Sequence, residues 1–132
     1  MRRVALLVSL LGACSKPPPP KPPPAERSAD KVADIAGRWV ASDEMDWGYD
    51  MKIEASGAID VWIDRGKTGR CEQKGTITPA ASRVFRVVYT RGECNPGAVN
   101  VPIDMTVKSF TGDALTIVVA DQARTYQRAP ND

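Results

Sequence analysis

Beyond Ile35 the chain is organised by a period of two. Trp47, Tyr49, Met51 and Ile53 alternate with Gly48, Asp50, Lys52 and Glu54; after Ser56-Gly57, Ile59, Val61 and Ile63 alternate with Asp60, Trp62 and Asp64. Side chains on a strand point to opposite faces in turn, so this pattern predicts half-buried strands, and the short glycine-containing connection predicts a hairpin. Val99, Val101, Ile103, Met105 and Val107 alternate with Asn100, Pro102, Asp104, Thr106 and Lys108, and Leu115, Ile117 and Val119 follow the Gly112-Asp113 turn. Pro102 cannot donate to a ladder, so it is expected on an edge, at a bulge or at a gap in the pairing.

Runs bounded by turn residues fall near 38–42, 47–55, 58–64, 70–78, 83–91, 99–109, 114–120 and 123–128, and no run reads as a long amphipathic helix. Short strands joined by short turns predict an all-β domain. An antiparallel up-and-down meander of about eight strands removes its open edges by closing into a small barrel; a sandwich is the alternative.

The start of the chain follows another pattern. Arg2 and Arg3 precede an apolar run from Val4 to Leu11, broken only by Ser9, and then Gly12, Ala13 and Cys14. A basic start, a short apolar run and small residues are the parts of a cleavable secretory signal. The run is far below the roughly twenty residues that a bilayer-spanning helix needs. Leu11-Gly12-Ala13-Cys14 resembles the lipobox of bacterial lipoproteins. That resemblance implies cleavage before Cys14, lipid on its sulfur, usually acylation of its new amino group, and a lasting anchor from two or more chains. Ser15, in place of the Asp that typically retains such proteins at an inner membrane, implies an outer-membrane destination facing the periplasm in a Gram-negative cell.

The expected organisation is therefore a signal peptide over 1–13, a lipidated N-terminus and proline-rich linker over 14–34, and a barrel domain over 35–132. Lys16 to Pro24 holds seven prolines in nine residues. Proline fixes φ and donates no backbone hydrogen bond, so the segment predicts a semi-rigid polyproline II spacer about 28 Å long. A ligand for a proline-recognising domain and a strut through the cell-wall layer are the competing readings. Ala25 to Asp34 is polar and predicts a short, frayed helix ahead of the fold.

Of three cysteines, lipidation removes Cys14 and leaves Cys71 and Cys94 as an even pair in an exported chain, where disulfides persist. Their midpoint falls near the expected Pro79–Ser82 turn. Pairing the flanking strands outward from it brings the two together at the open end of a hairpin, predicting a structural disulfide. A redox or thiolate-metal role lacks the C-x-x-C spacing and any histidine partner.

Charge alters the picture little. The chain has 18 Lys plus Arg and 16 Asp plus Glu; loss of Arg2 and Arg3 balances them, and no basic stripe suggests nucleic acid. With no histidine, Ser-His-Asp and Cys-His devices are excluded and the usual imidazole metal ligands are absent. Asp43, Glu44, Asp46 and Asp50 form the densest acidic cluster, which reads either as oxygen ligands for calcium without EF-hand order or as a solvated loop. Asp60 and Asp64 mimic a carboxylate dyad but read more simply as the polar side of a strand. The expectation is a non-enzymatic protein with no cofactor and no metal.

Ile35-Ala36-Gly37-Arg38-Trp39 resembles the Gly-x-Trp signature that opens the first strand of lipocalin-like domains. The resemblance covers the meander from Ile35 to Arg128. It implies that Gly37 and Trp39 close one barrel end beneath an arginine from the last strand, Arg128 or Arg124. The chain departs from that pattern in being shorter and in carrying its disulfide within one hairpin. The function implied is binding of a small apolar molecule or lipid in a barrel mouth lined by Tyr49, Met51, Phe85 or Tyr89. The alternative is a protein-interaction module, such as an envelope assembly factor or hydrolase inhibitor, with Trp62 as an outward aromatic contact.

Overall fold

The structure, a computed structural model, describes residues 18–130. The segment read as a signal sequence, Cys14 and Ser15 lie outside the described residues. Eight strands follow in chain order: β1 (Gly37–Ser42), β2 (Gly48–Ile53), β3 (Ala58–Asp64), β4 (Arg70–Ala81), β5 (Val84–Gly92), β6 (Ile103–Phe110), β7 (Ala114–Val119) and β8 (Gln122–Arg128). Each pairs with the next, and β1 closes on β8 through Trp39 opposite Arg128 and Val40 opposite Gln127. The domain is an all-β, antiparallel, up-and-down barrel, as the alternation predicted.

Two strand boundaries differ from expectation, each for a backbone reason. The sixth run starts at Ile103 rather than 99. Pro96–Ala98 forms a short 3-10 turn, Asn100 is left-handed at φ 66°, and Pro102 has no N–H with which to begin pairing. In the β4–β5 hairpin, the strand runs through Pro79 to Ala81 across a bulge, and the turn is Ser82-Arg83, with Arg83 at φ 60°. The bulge is what lets Pro79 sit inside a strand.

The alternating apolar residues turn inward and fill one end of the barrel. Ile35, Trp39, Ile53, Ile59, Phe85, Phe110 and Leu115 are all buried there. Trp39 meets Phe110 edge-on, with centroids 6.1 Å apart and planes at 70°, and its Nε1 donates to the Ile35 carbonyl at 2.9 Å. The Arg128 guanidinium carbon lies 4.3 Å from the centroid of the Trp39 ring, while Nε donates to the Gly112 carbonyl at 2.7 Å and Nη1 to the Ala36 carbonyl at 3.2 Å. Gly37, at φ 140°, is where Arg128 passes so close that a Cβ would collide with Nη1.

The folded unit reaches further back than the expected start at Ile35. Ala29, Val32 and Ile35 are buried, the last two in a 3-10 turn spanning Val32–Ile35 rather than a frayed helix. Glu26 accepts from the Ser109 hydroxyl at 2.7 Å and the Phe110 N–H at 3.1 Å and pairs with Arg83, while Asp30 accepts from the Ser82 hydroxyl and the Arg83 N–H. The apolar spacing at 29, 32 and 35 was hidden by the charged residues between. The strap joins the filled end, and residues 18–25 ahead of it are exposed.

Candidate functional site: the barrel mouth and its cavity

Antiparallel order places the loops 43–47, 65–69, 93–102 and 120–121 together at the end opposite the strap. Between them the barrel is not filled, and a cavity of about 210 Å³ remains. Its deep wall is formed by Met51, Val61, Val87, Met105, Ile117 and Tyr126, the last opposite Leu115 of the filled end; nearer the mouth come Tyr49, Gln73, Tyr89, Asn95 and Arg124.

Tyr49, Met51 and Tyr89 therefore line the cavity. Phe85 does not: it is fully buried in the filled half. The reason is strand direction, since β5 starts at the filled end, opposite Pro79 and next to the Ser82-Arg83 turn. Four residues later, at about 3.3 Å per residue, Tyr89 has reached the mouth. Trp62 lies on the outer face, half-buried, opposite Asp50 and Glu72, with the Arg70 guanidinium carbon 5.8 Å from its centroid. It stands in a row of charged neighbours, with no bare apolar patch around it. Trp47 packs against the core from the mouth loop, with Arg65 at 5.9 Å from its ring.

Cys71 and Cys94 form the disulfide, with Cα atoms 5.2 Å apart. It ties the start of β4 to the long loop after β5 and so fixes the loop that carries Asn95 and Ala98 to the cavity mouth.

Four of the acidic residues singled out in the sequence have local partners: Asp43, Asp50, Asp60 and Asp64. Asp43 accepts from the Met45 N–H at 2.9 Å, the Trp47 N–H at 3.1 Å and the Tyr49 hydroxyl at 2.7 Å. The Tyr49 bond is the chief cause that holds its carboxyl below the ordinary range. Asp50 takes a two-pronged bond from Arg38, Asp60 lies 4.0 Å from Lys74, and Asp64 accepts from the Gly66 N–H. Among the described residues no group of three or more His, Cys, Asp or Glu side chains is placed to hold a metal ion.

Four polar residues of the cavity were not among the expected contacts: Gln73, Asn95, Arg124 and Tyr126. Among the described residues lining the cavity, Arg124 carries the one formal charge. Its guanidinium carbon lies 3.7 Å from the Tyr49 ring centroid, so the cation is stacked on that ring. Burial pushes the Tyr89 hydroxyl far above the ordinary tyrosine range; burial also raises Tyr126, against the lowering effect of Arg124 beside it. Tyr49 is raised by burial and then by its bond to Asp43. All three phenols are thus neutral near neutral pH; Tyr49 donates its proton to Asp43, and Tyr89 and Tyr126 keep theirs to donate. The signal for the inward charge was present, because Arg124, Tyr126 and Arg128 share parity on β8, and Arg128 was already expected over Trp39.

Neither the family models nor the curated proteins nor the solved structures contain a match to this chain.

Proposed function

We propose that this protein is a lipid-anchored envelope lipoprotein whose barrel, lipocalin-like in architecture, binds a small apolar molecule in its mouth. The observation that carries the reading is the cavity. A barrel could have been packed solid, and this one is packed solid at one end only, leaving about 210 Å³ with an apolar floor and a few polar groups at the entrance. An engineered apolar cavity of about 150 Å³ holds benzene, so the space suits one small molecule rather than a long lipid.

The placement of the strap agrees with tethering. The proline-rich segment, anchored through Cys14, reaches the barrel at its filled end and leaves the mouth facing away from the attachment. An interaction module would be favoured by a solid barrel with an apolar outer patch at Trp62; the cavity and the charged neighbours of Trp62 argue for the binder.

Native mass spectrometry of the Cys14→Ala chain, exported and recovered without detergent, tests the binding half. A reproducible adduct that leaves on denaturation is expected. A clean mass, unchanged after incubation with eight-carbon probes, would overturn it.

A further inference from the structure

The cavity wall is not uniformly apolar: among the described residues that line it, Arg124 carries the one formal charge. Arg124 has five N–H donors in a planar fork. Its face is taken by the Tyr49 ring, and among the described residues no carboxylate lies within ion-pair distance of it. Asp43, the acid electrostatically coupled to it, already accepts three hydrogen bonds, from Met45, Trp47 and Tyr49. Tyr126, next inward on the same face of β8, is coupled to the guanidinium, and Tyr89 lines the same cavity and is electrostatically coupled to Tyr126. Cation and donors therefore converge where the apolar floor ends.

A half-buried cation beside hydroxyls that donate but no acceptor that neutralises is complementary to a compact anion, and planar guanidinium matches planar carboxylate in particular. Resting on the cavity-binder reading, we propose that the ligand is a small organic carboxylate. Its head sits on Arg124 and Tyr126, and its short apolar tail lies between Met51, Val87 and Met105. The cavity, at about 210 Å³, limits the tail to a single ring or a chain of roughly eight carbons, by comparison with the ~150 Å³ that holds benzene. Neutral and cationic molecules of the same length lose the head contact, and the cation meets like charge.

Octanoate, 1-octanol and octylammonium differ only in the head and form the test. Each is titrated into the full chain with its disulfide closed, near neutral pH, by calorimetry. Octanoate is expected to bind about tenfold or more tighter than octanol, since charge-assisted hydrogen bonds are the strong ones, and octylammonium weakest. In Arg124→Gln the octanoate-to-octanol ratio should fall to about one, in Arg124→Lys it should fall part-way, and Tyr126→Phe should lower it without removing charge, with far-UV circular dichroism confirming each fold. Equal binding of octanoate and octanol by the natural chain, or a ratio that Arg124→Gln leaves unchanged, overturns the carboxylate assignment while leaving the cavity reading in place. No binding of any of the three overturns both.

Discussion

Replacing Gly37 by alanine tests whether the filled end is held by one interlocked unit. At φ 140° an alanine is strained, by about 1–3 kcal/mol for a conformation that L-residues avoid. Its Cβ would also collide with Arg128 Nη1. The far end of an arginine usually yields at little cost, but here it is pinned by the Trp39 face at 4.3 Å and by carbonyls of Gly112 and Ala36. Moving it forfeits a cation–π contact of about 0.5–2 kcal/mol and weakens two hydrogen bonds from a charged donor, each about 1.5–3 kcal/mol at most. Allowing for water reaching the displaced, half-buried group, the loss at Arg128 is about 2 kcal/mol and the total about 4 kcal/mol, a large share of a small domain's ~5–15 kcal/mol. Urea unfolding followed by tryptophan fluorescence measures it. The decisive comparison is Gly37→Ala in an Arg128→Met background, where the collision is gone and only strain remains. The double variant should be more stable than the sum of the singles predicts by about 2 kcal/mol; additivity within about 0.5 kcal/mol would refute the interlock.

Removing the disulfide with Cys71→Ser and Cys94→Ser, which opens a link of sequence separation 23, should cost about 3 kcal/mol in urea unfolding and raise hydrogen exchange in loop 93–102 first. Gly75→Ala sets a Cβ against the Val88 carbonyl and the Tyr89 backbone, which cannot retreat without breaking the β4–β5 register, so it should abolish folding or cost more than about 3 kcal/mol by thermal melting. Glu26 and Asp30 have carboxyls held below their ordinary values of 4.5 and 3.8, the first mainly by the Phe110 N–H and the second mainly by the Ser82 hydroxyl. A lowered folded value means that the unfolded state binds more protons, so the strap contributes fully above the ordinary values and is lost as pH falls through the lowered ones. Exchange of the Arg27 and Arg83 amides should therefore accelerate in acid before that of the barrel strands, and retained protection there would contradict the strap's role. Cys14→Ala should release the protein from the membrane fraction or stall it before anchoring; unchanged retention and mass would refute lipidation.

Most of the barrel was legible because alternation is a local signal. Inward residues such as Met51, Ile53, Ile59 and Val61 are buried whichever strands they pair with, and the turn residues bound each run within a few positions. Cys71 and Cys94 were legible for a related reason, since a hairpin fixes which residues meet. The site was less so. Parity told that Phe85 and Tyr89 face inward together, but the depth of each in the barrel depends on strand direction and stagger, and that put Phe85 in the packed end and Tyr89 at the mouth. Arg124 was read only as a possible partner of Trp39, because a charge on an inward face is placed by what surrounds it.

By itself the sequence determined the strand count, the antiparallel order and the inward set, because each rests on neighbours within one or two turns of chain. Tertiary structure alone decided that Ala29, Val32 and Ile35 belong to the core, that one barrel end is filled while the other keeps a cavity, and that Arg124 faces that cavity. These are properties of closure. They depend on how β8 meets β1 and on which distant side chains share a layer, and no local pattern carries that distance.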